Sequence, residues 1–510
     1  MGHARTLSIG LHGLRGTLVE VESDVSTGLP AFSVVGLPDS STLQARDRVR
    51  AAAARSGMHL AQRRITTNLS PAFVPKHGSG FDLAIAVSVI AAQGDIDPGG
   101  PSRTVHLGEL GLDGQIRPIP GVLPALVAAR DCGISRAVVP QENLAEARLV
   151  DGIEVTGAAH LSSVLRQWGA DVAVPAHHPT LRIAPEAEPE PGAGADFSDV
   201  IGQQQARRAA EVAAAGGHHL LMTGPPGAGK TMIASRIPTI LPDLDDEQAL
   251  AVSAIHSVAG RFDARQGLRR RPPFENPHHT ATTAAVVGGG AGLAAPGAIS
   301  RAHGGVLFLD EAPEFPSRVL EALREPLETG DITLHRARGV TRYPARFQLV
   351  LAANPCPCGK AWGKGTDCSC SPQQRRTYLT RLSGPVLDRI DMRIAVGPVD
   401  VNRVDAVPSE SSAQIAQRVR TARDRQRARY ADHPFSINAQ LPGSLLRTAF
   451  SPAPADQRLL DHALSQGRLT LRGHDRVLRL AWTLADLEGA ERPTAEHIGT
   501  ALTLREGDHR

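Results

Sequence analysis

The sequence predicts an α/β protein with a parallel-sheet domain in its middle, an α+β domain before it and a helical region after it. Three observations support this. An apolar run at 219–223 stops at a glycine-rich loop and continues into an apolar helix. Two further apolar runs, VLFLDE and FQLVLAANP, end in polar residues, as buried parallel strands do. Residues 405–510 are helical by pattern, and a length of 510 residues is enough for several domains.

The glycine-rich loop has the pattern of a phosphate-binding loop. A full match to G-x-x-x-x-G-K-[ST] is formed by Gly224, Pro225, Pro226, Gly227, Ala228, Gly229, Lys230 and Thr231. Backbone N–H groups of such a loop, at the positive end of the following helix, bind phosphate. We expect Lys230 to contact the β- and γ-phosphates of ATP and Thr231 to bind Mg²⁺. The strand–loop–helix context disfavours a chance glycine/proline turn.

Acidic and amide residues follow the other two apolar runs. Asp310 is predicted to hold Mg²⁺ through its water shell, and Glu311 to activate the attacking water. A buried strand that merely ends in two acids is the alternative, and the upstream phosphate-binding loop weakens it. Asn354 ends FQLVLAAN, where it fits a sensor 1 residue that contacts the γ-phosphate or the lytic water. Together these residues predict ATP hydrolysis.

Composition and charge limit where the protein is expected to be located and which partners it is expected to bind. The net charge of +3 requires no polyanionic partner, and aromatics at 3% are too few for an extended base-stacking surface. Arginine greatly outnumbers lysine, which occurs only at Lys76, Lys230, Lys360 and Lys364, so arginine richness alone is weak evidence for nucleic acid. No apolar run of membrane-spanning length and no signal-peptide core occur, so a cytoplasmic location without a membrane partner is expected. Residues 1–6 fit a loose myristoylation pattern that recurs by chance.

The domain boundaries follow from changes in pattern along the chain. Residues 1–170 are predicted as the α+β domain, with strands at 1–36, RITTNLS, TVHLGEL, RAVVP and IEVTG. Its helices are expected at 39–56, FDLAIAVSVIAA and near 122–131. Residues 171–195 are a Pro/Ala/Glu-rich linker. The parallel-sheet domain is then predicted at 196–400, and the helical region at 401–510.

Four of the five cysteines lie close together and predict a metal or redox site. They are Cys356, Cys358, Cys368 and Cys370. Four thiols at this spacing can close a tetrahedral Zn²⁺ site of structural type. Because the pairs are C-x-C, reduced or redox-active thiols remain the alternative. The pattern does not resemble a secreted disulfide framework.

Basic residues cluster at a predicted hairpin, ITLHR and VTRYP. The residues near its tip are His335, Arg336, Arg338 and Arg342. One interpretation is a pore loop that touches a polyanion when subunits form a ring; the other is a solvated hairpin kept soluble by its arginines. A second group of arginines, between 418 and 429, fits a solvated helix face better than a nucleic-acid site.

Further arginines are candidates for contacts with the γ-phosphate. Arg389, in LDRID, is predicted as an arginine finger that reaches the neighbouring subunit's nucleotide, with Arg381 and Arg376 as rivals. A salt bridge within the subunit is the alternative role of Arg389. Arg472 fits a sensor 2 position at the start of a lid helix, and Arg476 is the nearby alternative. A finger of this kind requires an oligomer, because the active site is shared.

Part of the first domain resembles the proteolytic domain of Lon proteases. The resemblance is clearest over GELGLDGQIRPIPGVLPALVAARDCGI, residues 108–134. Lon-type proteases pair a serine nucleophile with a lysine base. Here Pro124 stands where the Lon pattern carries its lysine, and Ser79 is displaced by about one position. The resemblance implies a ribosomal protein S5 domain 2-like fold that lacks the Ser–Lys dyad and serves in assembly or binding.

The whole set of motifs closely resembles the YifB/ComM group of magnesium-chelatase-like AAA+ ATPases. Besides the Lon-like domain and the terminal lid, the motifs are GPPGAGKT, PHHTAT, VLFLDEAPEF, LREPLETGDITLHRA, YPARFQLVLAANPCPCG and SGPVLDRID. The resemblance implies an α/β AAA+ P-loop ATPase with a helical lid, a helix-2 insertion and a pre-sensor hairpin, assembled as a hexameric ring. For the ComM branch it implies a DNA helicase that promotes branch migration in recombination and natural transformation. The alternative is a chelatase-type motor that remodels a protein partner without DNA.

Overall fold

A computed structural model describes most of the chain. The described ranges are 2–37, 39–72, 76–176, 194–290, 294–336, 339–382, 384–398, 409–467 and 469–506. Most of the predicted linker lies outside these ranges. Within them, no helix combines the length and the apolar character needed to cross a membrane.

The first domain is built on a seven-stranded mixed sheet. The strands of the domain, two of which lie outside this sheet, are β1 (Gly2–His12), β2 (Arg15–Ser26), β3 (Ala31–Val35), β4 (Arg64–Ser70), β5 (Val105–His106), β6 (Glu109–Leu110), β7 (Ile116–Arg117), β8 (Arg136–Pro140) and β9 (Glu154–Ala158). Its helices are α1 (Ser40–Leu43), α2 (Ala45–Arg55), α3 (Asp82–Gln93), α4 (Val122–Asp131), α5 (Leu144–Ala147) and α6 (Leu161–Gln167). The strand order is β3-β4-β2-β1-β5-β8-β9, and β6 pairs with β7 apart from it.

Sequence pattern explains most of these elements. The strand RITTNLS is observed as β4, and the apolar run FDLAIAVSVIAA forms α3, in which every residue except the last, Gln93, is buried. The single helix predicted over 39–56 is interrupted near Gln44 and forms two helices. TVHLGEL also divides in two, because Gly108, with φ of +152°, separates β5 from β6.

The second domain is built on a five-stranded, fully parallel sheet. Its elements, in chain order, are α7 (Gln204–Gly216), β10 (Leu220–Thr223), α8 (Lys230–Ile240), α9 (Asp246–Val258), β11 (Phe274–Glu275), α10 (Thr283–Val287), β12 (Gly288–Gly289), β13 (Ala295–Pro296), α11 (Ala298–Arg301), β14 (Val306–Leu309), α12 (Ser317–Ala322), α13 (Arg324–Thr329), β15 (Asp331–Arg336), β16 (Gly339–Pro344), β17 (Gln348–Ala353), α14 (Pro372–Thr380), α15 (Gly384–Leu387) and β18 (Met392–Ala395). The sheet order is β11-β14-β17-β10-β18. Because parallel strands end at the same edge, the residues after β10, β14 and β17 meet there.

The C-terminal region is helical, as its pattern predicts. It consists of α16 (Ser412–Arg429), α17 (Gly443–Leu446), α18 (Pro454–Ser465), α19 (Leu471–Glu488) and α20 (Ala495–Glu506). Apolar residues of these helices share one buried core with α7 and α8. The region therefore packs directly on the phosphate-binding half of the second domain.

Several arginines of α16 hold this region in place. Arg418 pairs with Glu211 of α7 and with Glu410, and Arg423 donates to the carbonyl of Ala214 at 2.6 Å. Arg429 pairs with the fully buried carboxylate of Asp486 in α19. The predicted solvated arginine face is therefore only partly solvated.

The first domain rests on the second through α9 and the β15–β16 hairpin. The backbone N–H of Gly121 donates to the carbonyl of Ser257 at 3.2 Å. Ala254 of α9 is buried within an apolar cluster of the first domain. His12, at the end of β1, lies 2.9 Å from the carbonyl oxygen of Val340 in β16. The two domains thus share contacts at the helix and at the hairpin.

Candidate active site

The phosphate-binding loop follows β10 and opens α8. Gly227 and Gly229 adopt left-handed backbone conformations, with φ of +77° and +88°. A Cβ atom added to Gly224 would lie 2.0 Å from the carbonyl oxygen of Val396, in the segment after β18. Only glycine, which has no Cβ atom, can occupy a position where two backbone segments lie this close, and a left-handed backbone conformation also favours glycine. The glycines predicted to shape the loop are thus required by its backbone.

Lys230 lies within this loop and is almost completely buried. Its Nζ donates to the carbonyls of Gly224 at 2.7 Å and Pro225 at 2.9 Å, and to Asn354 Oδ1 at 3.2 Å. Burial lowers the pKa of Lys230, while the charges of Asp310 and Glu311 oppose that shift. Phosphate oxygens would be stronger acceptors than these neutral oxygens. The amine of Lys230 therefore lies between the loop that is predicted to bind phosphate and Asn354, the predicted sensor.

The two predicted Mg²⁺ ligands are in direct contact. Thr231 Oγ1 donates to Asp310 Oδ2 at 2.5 Å, joining the start of α8 to the end of β14. A hydroxyl and a carboxylate are oxygen ligands of the kind that Mg²⁺ prefers, and Mg²⁺ usually keeps several waters besides them. The pair thus fits an ion held partly by protein and partly by water.

Glu311 follows in a left-handed conformation, with φ of +50°. Its backbone N–H donates to Asp310 Oδ1 at 2.9 Å, and its side chain is 48% exposed. His279, whose role the sequence left unassigned within PHHTAT, brings Nδ1 to 3.0 Å from Glu311 Oε2. The sequence signal for His279 was its position inside the PHHTAT motif. Its contact with Glu311 could be identified only from the fold.

The four cysteines form one cluster. Cys356 Sγ lies 3.4 Å from Cys358 Sγ and 3.6 Å from Cys368 Sγ, and all four sulfurs, including Cys370, lie within 4.8 Å of one another. Tetrahedral zinc with Zn–S bonds of about 2.3 Å requires sulfurs roughly 3.8 Å apart. A hydrogen bond from the backbone N–H of Lys360 lowers the pKa of Cys358 to about 6, whereas the pKa of Cys370 is raised to about 11, because its own backbone hydrogen bond is outweighed by burial and by the neighbouring thiols. The thiolate that metals bind is therefore favoured at Cys358. The cluster is compatible with a structural zinc site.

The cysteine cluster is placed against the phosphate-binding loop. A Cβ atom added to Gly359 would lie 2.7 Å from Pro226 Cδ. The cluster also begins two residues after Asn354, the predicted sensor. The segment that carries the cluster therefore lies beside both the phosphate-binding loop and the predicted sensor.

Arg389, the predicted finger, forms an ion pair with Glu328 of α13 in the single chain. Its side chain is 11% exposed, and burial lowers its pKa. Arg381 pairs with Glu314 at 3.2 Å, and Arg376 is exposed on α14. A contact with a neighbouring subunit's nucleotide remains a prediction.

The side chains of the two sensor 2 candidates differ in solvent exposure and in how tightly they are held by ion pairs. Arg472 is 77% exposed and lies 3.2 Å from Asp388. Arg476 is 14% exposed, pairs with the buried carboxylate of Asp391 and donates to the carbonyl of Arg389 at 2.9 Å. Arg476 therefore joins the helical region to the sheet domain, whereas Arg472 can reorient. A contact of Arg472 with nucleotide remains a prediction.

The basic hairpin is present as predicted, with β15 and β16 in antiparallel register. His335 and Arg336 are exposed, and Arg342 pairs with Asp331 at 2.6 Å while its side chain stays 63% exposed. Arg338 lies outside the described residues. Positive charge is thus available near the tip of the hairpin.

The Lon-like segment does not form a Ser–Lys pair. Ser79 donates to the carboxylate of Glu109, and Lys76 is buried and donates to the carbonyl of Pro71. Burial lowers the pKa of Lys76. Pro124 lies buried in α4. These contacts give Ser79 no base of the Lon type.

Three consecutive regions of the chain match families of the magnesium chelatases. Residues 196–404 match the family described as "Magnesium chelatase, subunit ChlI". Residues 21–143 match "Subunit ChlI of Mg-chelatase", and residues 409–505 match "Magnesium chelatase, subunit ChlI C-terminal".

Similar full-length relatives extend this result. The chain is 48% identical over 506 residues to an uncharacterized protein of Mycobacterium tuberculosis, with 99% of each chain covered. It is 41% identical over 495 residues to YifB of Escherichia coli and 38% identical over 501 residues to competence protein ComM of Haemophilus influenzae; both alignments cover 97% of this chain and 95% of the relative. A stretch of 97 residues is 32% identical to Lon protease 2 of Bacillus subtilis, covering 19% of this chain and 17% of that protease.

Proposed function

Because the chain belongs to the YifB/ComM family of magnesium-chelatase-like AAA+ proteins, we propose that it is a ring-forming ATPase that moves DNA. The observation that carries this proposal is the convergence of ATP-directed groups at one edge of the parallel sheet. These groups are Lys230, Thr231, Asp310, Glu311 and Asn354. The basic hairpin β15–β16 immediately precedes β17, the strand that Asn354 follows.

Each group has a chemical role in the proposed hydrolysis. Backbone N–H groups of the loop and Lys230 would bind the phosphates of ATP. Thr231 and Asp310 would hold Mg²⁺, which would neutralise the negative charge that develops on the phosphates. Glu311 would take a proton from the attacking water, and Asn354 would orient that water or contact the γ-phosphate. Arg472 and, from the next subunit, Arg389 would contact the transferring phosphoryl group.

The hairpin supports DNA as the substrate. Contacts between arginine and phosphate supply most of the sequence-independent affinity for DNA. A hexameric ring would place one such hairpin from each subunit around a central pore. The specific activity we propose is branch migration of single-stranded or branched DNA during recombination or natural transformation. The similarity to a relative named competence protein supports a role in competence.

A second candidate is a chelatase-type motor that remodels a protein partner without DNA. The magnesium chelatase families that match the three regions favour it. In that case the hairpin arginines would be solubilising or would contact the partner. ATP hydrolysis is common to both candidates, so the response to DNA distinguishes them.

The decisive experiment measures ATP hydrolysis without DNA, with single-stranded DNA and with a four-way junction. We expect strong stimulation by DNA in the parent protein and little in the variant with Arg336, Arg338 and Arg342 replaced by Ala. The slope of log affinity against log salt should also become shallower by about one for each DNA phosphate that the variant no longer neutralises.

The matched control replaces Arg420 and Arg427, which are exposed on α16, by Ala. That variant should behave like the parent. Hydrolysis in the parent that is indifferent to every DNA would favour the protein-remodelling motor. Loss of stimulation in the control variant instead would move the DNA contact to α16.

We further propose that the cysteine cluster holds structural Zn²⁺. Protein purified under reducing conditions should contain zinc, and the Cys368→Ser and Cys370→Ser variants should lose it. Loss of zinc should also weaken ATP binding, because Gly359, which lies between the two cysteine pairs, packs against Pro226 of the phosphate-binding loop. Metal content and nucleotide affinity measure the two effects.

The internal control for zinc is Cys132→Ser, which changes an exposed thiol far along the chain from the cluster. It should keep both zinc and ATP affinity. A metal-free parent with full ATP affinity would contradict the zinc proposal and favour reduced or redox-active thiols.

For the first domain, we propose a Lon-like, ribosomal protein S5 domain 2-like fold that serves assembly or binding and not proteolysis. The contact of His12 with the hairpin and the contacts of Gly121 with α9 support this role.

A further inference from the structure

We propose that the indole of Trp362 stacks on the base of the bound nucleotide and makes the site select purine nucleoside triphosphates; this inference rests on the proposed ATP site. Trp362 is one of three tryptophans in a chain that is poor in aromatic residues. It lies in the cysteine loop, residues 355–371, which leads from the predicted sensor Asn354 to α14. Its side chain is half-buried.

The cysteine loop crosses the end of β10, where the phosphate-binding loop begins. Strands β17 and β18 lie on opposite sides of β10. The cysteine loop starts after β17, yet a Cβ atom added to Gly397, in the segment after β18, would lie 3.3 Å from Trp362 Cζ2. Between these points, Gly359 lies against Pro226 of the phosphate-binding loop. The cysteine loop therefore brings Trp362 to the β18 side of the phosphate-binding loop.

The groups that would bind the terminal phosphate lie on the other side of β10. Lys230 Nζ lies 3.2 Å from Asn354 Oδ1, which follows β17. Thr231 Oγ1 donates to Asp310 Oδ2, which follows β14, the next strand beyond β17. The γ-phosphate would therefore point toward β17 and β14. Because the triphosphate extends from one end of the ribose and the base from the other, the base would lie toward β18, where Trp362 is placed.

The contact between Trp362 and Gly397 is tied to the phosphate-binding loop. Gln203 Nε2 donates to the carbonyl of Gly397 at 2.6 Å and to the carbonyl of Ala228, within the loop, at 3.2 Å. One side-chain amide thus joins the segment after β18 to the loop. The position of the indole relative to bound phosphate is therefore set by the same backbone that binds the phosphate.

The orientation of the indole suits stacking. The three atoms nearest to the Cβ position of Gly397 are Trp362 Cζ2, Cε2 and Nε1, at 3.3, 3.7 and 3.8 Å, and they lie along one edge of the ring. This contact leaves the faces of the ring available to a base, and aromatic side chains stack on the π-face of any base. A purine, with two fused rings, covers more of an indole than a pyrimidine does. The geometry therefore favours ATP or GTP over CTP or UTP.

The test measures the Kd of the full-length protein for non-hydrolysable ATP and UTP analogues and for inorganic tripolyphosphate, all with Mg²⁺. The parent should bind the ATP analogue more tightly than the UTP analogue. In Trp362→Ala, the Kd for the ATP analogue should rise about 5–150-fold, the range for losing one base–aromatic stack. The Kd for the UTP analogue should rise less, and that for tripolyphosphate, which has no base, should not change. Trp362→Phe should keep part of the preference, because a phenyl ring still stacks.

Fluorescence tests the contact itself. In the double variant Trp168→Phe, Trp482→Phe, Trp362 is the sole indole of the chain. The ATP analogue should quench its emission, because the adenine would lie against the ring, and tripolyphosphate should not. Equal quenching by both would contradict stacking, since it would show only that occupation of the phosphate-binding loop moves the cysteine loop.

The matched control for affinity is Thr366→Ala, which removes an exposed side chain from the same loop. It should keep the parent's three Kd values. A parent-like Kd for the ATP analogue in Trp362→Ala would overturn stacking and leave the ATPase intact. Equal weakening of all three ligands would also overturn it and would assign Trp362 to the packing of the cysteine loop. A parent that binds no nucleotide would overturn the ATPase, and the stacking with it.

Discussion

Replacing Glu311 by Gln is expected to leave ATP binding intact and to lower kcat by about 10²–10⁴-fold, the usual contribution of a positioned general base. The amide keeps the size of the side chain and loses the ability to accept a proton. Lys230, Thr231 and Asp310, which would bind the phosphates and Mg²⁺, are unchanged. Single-turnover hydrolysis and the Kd for ATP separate the two effects.

The matched control for this prediction is Glu314→Gln. Glu314 is three residues further along and pairs with Arg381 at 3.2 Å. The same chemical change there should leave kcat near the parent value. Parent-like turnover in Glu311→Gln would contradict the assignment of Glu311 as the general base and would require another group to activate water.

The local part of the candidate site could be predicted from the sequence because its signals are contiguous. The phosphate-binding loop, the acidic pair at 310–311 and the hairpin each combine a strand pattern with polar residues at fixed spacing. These patterns reflect backbone requirements, such as the left-handed conformations of Gly227 and Gly229.

The contacts between distant segments could not be predicted in the same way. His279 reaches Glu311 because β11 and β14 are neighbours in the sheet, an order that neither motif states. Ala254 is buried in the first domain although its helix belongs to the second. Such contacts depend on which elements pack together, and apolar periodicity gives only the face and not the partner.

The arginines show most clearly that contacts between distant segments cannot be predicted from sequence pattern. The pattern predicts Arg418 and Arg429 as members of a solvated face, yet each forms an ion pair with a buried carboxylate. Arg472 and Arg476 are one helical turn apart, and only the fold shows that the second is tied to Asp391. Charge patterning therefore identifies a polar face but does not separate free arginines from structural ones.

Replacing Arg389 by Ala is expected to lower kcat by about 10³–10⁵-fold, the range found for arginines that act in trans on a transferring phosphoryl group. The ion pair with Glu328 offers a competing, structural explanation for any loss. Glu328→Ala separates the two, because it breaks the same ion pair and leaves the guanidinium in place. If Arg389 acts as the finger, Glu328→Ala should keep most of the activity; if the ion pair alone matters, both variants should lose it together.

Mixed rings then test whether Arg389 acts on the neighbouring subunit. An Arg389→Ala subunit keeps its own phosphate-binding loop, and a Lys230→Ala subunit keeps its Arg389, although each variant alone should be inactive. Assembled together, with two affinity tags to prove mixing, they should regain hydrolysis wherever an intact loop faces an intact arginine. A shared active site predicts this recovery, because its two halves come from different chains. Tagged mixed rings without any recovery would assign Arg389 to its own subunit, and its partnership with Glu328 would then be its whole role.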